Sequence, residues 1–90
     1  MSAELEIPSI FARYSDNRLN FKVEGSTVGE CLNDLFRQAP GLEKMLLNKE
    51  GKLQRAYDIY INGESAYPME MTKPVSDGDK LNIVFIIYGG

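Results

Sequence analysis

Apolar and polar residues alternate in three separate segments of this chain, a period typical of half-buried strands. The apolar positions are Ala3, Leu5 and Ile7 in the first segment, Leu19, Phe21 and Val23 in the second, and Tyr57, Ile59 and Ile61 in the third. The pair Asp16-Asn17 indicates a turn between the first two segments. We therefore expect these two segments to pair as an antiparallel hairpin.

A helical period replaces the alternation after Gly25. Thr27 and Glu30 have the spacing of a capping box, in which each side chain accepts a hydrogen bond from an otherwise unpaired backbone N–H. The apolar residues that follow recur at helical spacing: Val28, Cys31, Leu32, Leu35 and Phe36. This pattern predicts one main helix, which Pro40-Gly41 ends and whose polar residues Asn33, Asp34 and Arg37 face water.

The remaining part of the chain predicts more strands. Asn62-Gly63 is a strong signal for a two-residue hairpin turn, with a short return strand expected near Ala66-Tyr67. Asp77-Gly78-Asp79 is typical of a turn in which Asp side chains accept from the backbone. A last strand then extends from about Lys80 to Tyr88.

The order of these elements favours an α+β fold. One main helix and four to five strands make a mixed sheet covered on one face the simplest layered arrangement. The first and last strands can lie side by side in parallel at the centre, as in the β-grasp fold of ubiquitin. Ninety residues have room for one domain, so we predict a single β-grasp domain over residues 1–90 with an exposed tail from about 87–90.

The last strand is apolar on both faces. Leu81, Ile83, Phe85 and Ile87 alternate with a second apolar set, Val84, Ile86 and Tyr88. Either a loop covers the outer face of a central strand, or the outer face is an exposed patch that meets a partner. We favour the partner, because the patch leads directly into Gly89-Gly90.

Composition narrows the possible functions. The net charge of −3 argues against a general nucleic-acid binder and against binding to anionic membranes. One cysteine and no histidine leave no disulfide within the chain, no Cys/His zinc site and no Ser-His-Asp triad. No apolar run has transmembrane length, and the first residues lack a signal-peptide pattern. We expect a cytoplasmic binding or carrier protein rather than an enzyme.

Gly89-Gly90 suggests a specific chemistry. Two residues without a Cβ can pass through a narrow channel and present a carboxylate inside another protein. An ATP-using enzyme could convert that carboxylate into an acyl-adenylate. Attack by a sulfur donor would then give a thiocarboxylate, and attack by an amine would give an amide.

The sequence resembles the small sulfur-carrier proteins of the MoaD/ThiS family. The matching residues are Ile59-Tyr60-Ile61-Asn62-Gly63-Glu64, Asp77-Gly78-Asp79 with the strand after it, and Gly89-Gly90. Gly51-Lys52-Leu53-Gln54-Arg55 is similar to longer members, which include carriers for cysteine or methionine synthesis and archaeal small modifiers.

The resemblance implies a role for each residue near the end of the chain. Gly90 would bear the activated carboxyl, Gly89 would provide a thin approach, and Val84 and Ile86 would dock on the activating enzyme with Tyr88 at the rim. The implied partners are an E1-like adenylating enzyme, a sulfurtransferase or cysteine desulfurase as sulfur donor, and an acceptor synthase. The partner enzyme would use ATP and magnesium, and this chain would bind no cofactor. Bulky Tyr88 differs from the small residues common at this place in the family and suggests a wider or aromatic-lined entrance in the partner.

Two other functions remain open at this point. A ubiquitin-like modifier would join Gly90 to lysines of other proteins, and an interaction module would use the apolar patch without chemistry at the terminus. The single thiol, Cys31, lies on the apolar stripe of the helix, where a buried and unreactive cysteine is expected. The biosynthetic pathway, the oligomeric state and any trimming of a precursor stay open.

Overall fold

Five strands form one mixed sheet in the order β2-β1-β5-β3-β4 in the computed structural model, which describes residues 1–86. The strands are β1 (Ser2–Glu6), β2 (Asn20–Glu24), β3 (Tyr57–Ile61), β4 (Glu64–Ser65) and β5 (Lys80–Phe85). The helices are α1 (Val28–Gln38), α2 (Leu42–Leu46) and two 3₁₀ helices, Ser9–Tyr14 and Glu70–Thr72. This is the ubiquitin-like β-grasp arrangement, and the prediction of the fold class is confirmed.

The centre of the sheet pairs the first strand with the last. β1 and β5 run parallel, with Leu5 opposite Leu81, while β2 and β3 pair antiparallel with their neighbours. The antiparallel pairing of β1 with β2 is confirmed, and its register places Leu5 opposite Phe21. Strands far apart in the sequence therefore meet at the middle of the domain, and this contact holds its two halves together.

The hydrophobic core lies between the sheet and α1. The whole apolar stripe of α1 is buried there, as its helical spacing predicts. The fully buried large side chains come from both layers: Leu5, Val23, Ile59 and Leu81 from the sheet, and Val28, Cys31, Leu32, Leu35, Leu42 and Leu46 from the helices. Burying each of the larger of these side chains stabilises the fold by about 1.5–3 kcal/mol before entropy is counted.

The start of α1 differs in one detail from the predicted capping box. Thr27 Oγ1 accepts from the Glu30 N–H at 3.2 Å, as expected. The Glu30 carboxylate, however, accepts from the N–H of Ser26 at 2.8 Å instead of from Thr27. Both carboxylate and hydroxyl still satisfy unpaired donors at the positive end of the helix.

The prediction that Asp34 faces water is wrong. The residue is 6% exposed, because its carboxylate turns toward the edge of the sheet and accepts from the backbone N–H of Glu24. Helical periodicity assigns a polar face but does not show which of its members the neighbouring strand covers.

Two strand boundaries differ from the prediction. The Asn62-Gly63 turn is confirmed, with both residues at positive φ (51° and 87°), but β4 is Glu64–Ser65 rather than Ala66-Tyr67. A two-residue turn fixes the register, so the residues directly after it form the ladder. β5 ends at Phe85, and the tail expected over residues 87–90 lies outside the described residues.

The described helices are short. α1, the longest among residues 1–86, has 11 residues, and no helix in that range has the length and apolarity needed to cross a membrane.

Candidate functional site

The end of β5 is the part of the structure that leads toward Gly89-Gly90. Val84 lies on the open face of the sheet opposite Asp58 of β3, and both Val84 and Ile86 are half-buried. The Ile86 N–H donates to the Ala56 carbonyl at 2.8 Å, so the backbone is held one residue beyond the strand. Tyr88, Gly89 and Gly90, the other residues singled out in the sequence, lie outside the described part of the chain.

Three aromatic rings pack together at the end of β5, on the face of the sheet opposite Val84. Phe11 stacks on Phe85 with 5.8 Å between ring centroids and meets the edge of Tyr57 at 5.6 Å. Tyr57 and Phe85, which face each other across β3 and β5, are 5.3 Å apart. Each such pair adds about 0.5–1.5 kcal/mol beyond the burial of its area. We refer to Phe11, Tyr57 and Phe85 as the aromatic cluster.

Part of this aromatic cluster reaches the surface. Phe85 is 45% exposed, although its spacing from Leu81 and Ile83 predicts a core position, because the rings of Phe11 and Tyr57 cover only part of it. Ile10, next to buried Phe11 in the first 3₁₀ helix, is 64% exposed. Sequence periodicity does not reveal that Phe11 packs against the end of β5. The one available signal is Pro8, which ends β1 pairing and precedes the apolar pair Ile10-Phe11.

Charged and polar side chains form a row across the open face beside Val84. Glu6 Oε1 accepts from the Asn82 amide at 3.1 Å and lies 3.7 Å from the Lys80 ammonium. Asp58, which is 8% exposed, accepts from the Ser65 hydroxyl at 2.6 Å. These contacts give the open face fixed polar groups around a small apolar centre.

The beginning of β5 is tied to the β3–β4 turn. The Asn62 amide donates to Asp79 Oδ1 at 3.0 Å, and its carbonyl oxygen accepts from the Lys80 N–H at 2.9 Å. The backbone N–H of Ser76 and then the Asn62 amide hold the pKa of Asp79 below its ordinary value. Asp77-Gly78-Asp79 is therefore a turn, as predicted, and it positions the strand that leads to the tail.

Cys31 is buried in the core, as expected. Burial, followed by the negative charges of Asp34 and Glu30, raises the pKa of the thiol to about 11. A protonated thiol is a poor nucleophile, so the structure gives Cys31 no chemical role at neutral pH.

The described residues contain no group of three or more His, Cys, Asp or Glu side chains placed to hold a metal ion. Residues 1–86 provide a strand that is held at both ends: the aromatic cluster and the Ile86 hydrogen bond hold one end of β5, and the Asn62 contacts hold the other. Such a strand can present the residues that follow it to another protein.

A family model matches residues 10–90 of the chain, a range that includes the aromatic cluster, both ends of β5 and Gly89-Gly90. The chain belongs to the ThiS family. Members of this family are small carrier proteins rather than catalysts. The comparison with curated proteins finds no matching relative.

Solved structures of similar proteins share the whole fold. SAMP1 from Haloferax volcanii is 26% identical, with a TM-score of 0.82 and 100% of each chain covered. CysO from Mycobacterium tuberculosis is 25% identical, with a TM-score of 0.86, covering 94% of this chain and 99% of that one. A chain of the BexX/CysO complex from Amycolatopsis orientalis is 28% identical, with a TM-score of 0.86 and coverage of 98% and 99%. That complex shows a protein of this fold bound to a protein partner.

Proposed function

We propose that this ThiS family protein is a sulfur carrier whose Gly90 carboxylate becomes a thiocarboxylate. The observation that carries the proposal is the family match, which extends through β5 to Gly89-Gly90. The described structure supports it, because the strand that precedes the diglycine is anchored at both ends.

The chemistry would proceed in two steps on the carboxyl carbon of Gly90. An E1-like enzyme, with its own ATP and magnesium, would join the carboxylate to AMP and release pyrophosphate. A sulfurtransferase or cysteine desulfurase would then supply a persulfide, whose terminal sulfur attacks the acyl carbon and displaces AMP. A thiol would reduce the acyl disulfide formed, and would itself be oxidised to a disulfide as the thiocarboxylate is released. The resulting thiocarboxylate would donate its sulfur to an acceptor synthase in the cytoplasm, and this chain would bind no cofactor itself.

Docking on the activating enzyme would use the end of β5. Val84 and Ile86 would provide the apolar contact on the open face, with Tyr88 at the rim of the entrance and Gly89 inside it. Replacing Val84 by Asp should raise the KM of the activating enzyme for the carrier, since an apolar contact would lose its area to a charged group. Glu4→Ala, on the same face but at the other end of the sheet, should leave that KM unchanged.

Modification of other proteins is the second candidate, and the similarity to SAMP1, a small archaeal modifier protein, favours it. Both functions begin with adenylation of Gly90 and differ in the nucleophile. In the modifier, a lysine amine displaces AMP and an isopeptide bond forms.

Intact-protein mass spectrometry of the chain purified from its native cells separates these functions. A species heavier by one oxygen-to-sulfur exchange, absent when Gly90 is deleted, supports the carrier. Species joined through Gly90 to lysine support the modifier. If added activating enzyme and ATP leave the mass of the intact chain unchanged, the proposed chemistry is wrong and an interaction module remains.

A further inference from the structure

β2 is an edge strand with one side free of sheet pairing. The backbone groups of the odd-numbered residues in and beside β2 face β1: the Leu19 carbonyl accepts from the Ile7 N–H, and the Gly25 N–H donates to the Met1 carbonyl. The backbone groups of the even-numbered residues, Asn20, Lys22 and Glu24, therefore point away from the sheet. Such a row of unpaired groups is a template for pairing with another strand.

Two side chains of α1 cover this outer edge. Asp34 Oδ2 accepts from the Glu24 N–H at 2.9 Å, and Gln38 Nε2 donates to the Lys22 carbonyl at 2.8 Å. The two residues are four positions apart on the helix and so lie on one face. Gln38 Nε2 is also 3.3 Å from Asp34 Oδ2, which joins the two contacts. A donor and an acceptor that a second strand would need are already occupied.

Neighbouring cations hold these side chains in place. Arg37 bonds to the second oxygen of Asp34, which is itself buried. The Arg18 guanidinium lies 4.3 Å above the Phe21 ring and 3.4 Å from Gln38 Oε1. Burial alone would raise the pKa of Asp34, but the bonds from Arg37 and from the Glu24 N–H outweigh it and keep this pKa below its ordinary value. The carboxylate therefore stays charged at neutral pH.

We propose that Asp34 and Gln38 form an edge clasp that keeps β2 from pairing with β2 of a second copy of this chain. The strand kept from this edge is β2 of a second copy, because the charges of β2 are complementary to those of the same strand in antiparallel orientation. In an antiparallel pair of β2 strands whose two-fold axis passes through Val23, each Lys22 would lie opposite Glu24 of the second copy. The backbone N–H and C=O groups of both residues point outward, as hydrogen bonds between the two strands require. This inference does not depend on the chemistry of Gly90.

The test removes the clasp and measures the mass in solution by sedimentation equilibrium. The wild-type chain should remain a monomer of 10.1 kDa. D34A/Q38A should show a mass that rises with concentration toward twice that value. D34N is the matched control: its side-chain carbonyl can still accept from the Glu24 N–H, so it should stay monomeric.

A third substitution shows whether β2 is the surface that pairs. Adding Lys22→Pro to D34A/Q38A removes an outward N–H and blocks the edge, so the monomer should return. Adding Lys22→Glu instead places two acidic side chains opposite each other and should weaken the dimer. Adding Glu24→Lys to that variant restores opposite charges and should strengthen the dimer again.

Two results would overturn the edge clasp. One is a D34A/Q38A variant that is folded by circular dichroism and monomeric at every concentration reached. The other is a dimer that persists with Lys22→Pro, since it would use another surface. If D34A/Q38A does not fold, D34V/Q38A replaces it, because Val fills more of the buried space and still cannot accept from the Glu24 N–H: a dimer sensitive to Lys22→Pro supports the clasp, and a folded monomer contradicts it.

Discussion

Phe11 is the buried member of the aromatic cluster, and its replacement by Ala tests how the end of β5 is held. The ring is 5% exposed and contacts Tyr57 and Phe85. Replacing a buried Phe by Ala costs about 3–5 kcal/mol of unfolding free energy. Because Phe85 is 45% exposed, the space left behind opens toward solvent and can partly collapse. We therefore expect the lower end of that range, about 3 kcal/mol.

Urea unfolding followed by far-UV circular dichroism measures this loss. With a slope of about 1–1.5 kcal/mol per molar urea for a small domain, the midpoint should fall by about 2–3 M. Ile10→Ala is the matched control: this neighbouring side chain is 64% exposed, and its removal should change the free energy by less than about 0.5 kcal/mol.

Amide hydrogen exchange adds a local measurement. Loss of the ring should speed exchange of the Ile86 N–H, which donates to Ala56, more than exchange at the Asn62 end of β5. The reasoning is refuted if Phe11→Ala and Ile10→Ala unfold at the same urea concentration, because the aromatic cluster would then contribute no more than an exposed aliphatic side chain.

Further predictions concern the turns, the thiol and the acid range. Gly25→Ala should destabilise the fold by about 2 kcal/mol or more, since its Cβ would lie 2.7 Å from the Cys31 backbone nitrogen; an unchanged melting temperature would contradict this. Asn62→Ala should cost about 1–2 kcal/mol in urea unfolding, and Asn62→Gly, which keeps the positive φ readily accessible, should isolate the loss of the side-chain hydrogen bonds. Ellman's reagent at about pH 8 should react with Cys31 far more slowly in native protein than in urea, because a pKa of about 11 leaves little thiolate; equal rates would refute its burial. The pKa of Asp79 is lower in the folded chain than its ordinary value of 3.8, so its contribution to stability is present above that pH and is lost as pH falls through the folded pKa. On acidification, the urea midpoint of Asp79→Asn should therefore fall less than that of the wild type. Equal falls would show that the Ser76 contact does not perturb the pKa of this carboxyl.

Local signals predicted several elements correctly. The alternating apolar residues of the three segments are buried or, like Leu19, Tyr57 and Ile61, partly buried against the core, because successive side chains of a strand point to opposite faces. Asn62-Gly63 adopts the positive φ values that a two-residue hairpin turn requires. The stripe of α1 is buried over its full length.

The sequence did not predict other features, because they depend on which segments of the folded chain pack over one another. The first 3₁₀ helix carries no periodic pattern long enough to predict it. Spacing alone assigns Phe85 to the core, yet the residue is 45% exposed because Phe11 and Tyr57 cover only part of it. Asp34 belongs to the polar face of α1, but the adjacent edge of β2 buries it.

Residues close together in the chain were enough to predict the period of the three alternating segments and of α1, the turns, and the candidate chemistry of Gly89-Gly90. The contacts of Phe11 with Phe85 and of Asp34 with Glu24 could be identified from the folded chain but not from its sequence. Such contacts depend on how the helix crosses the sheet and on which segment packs against each strand. Both are settled by the packing of the whole core and by no single segment.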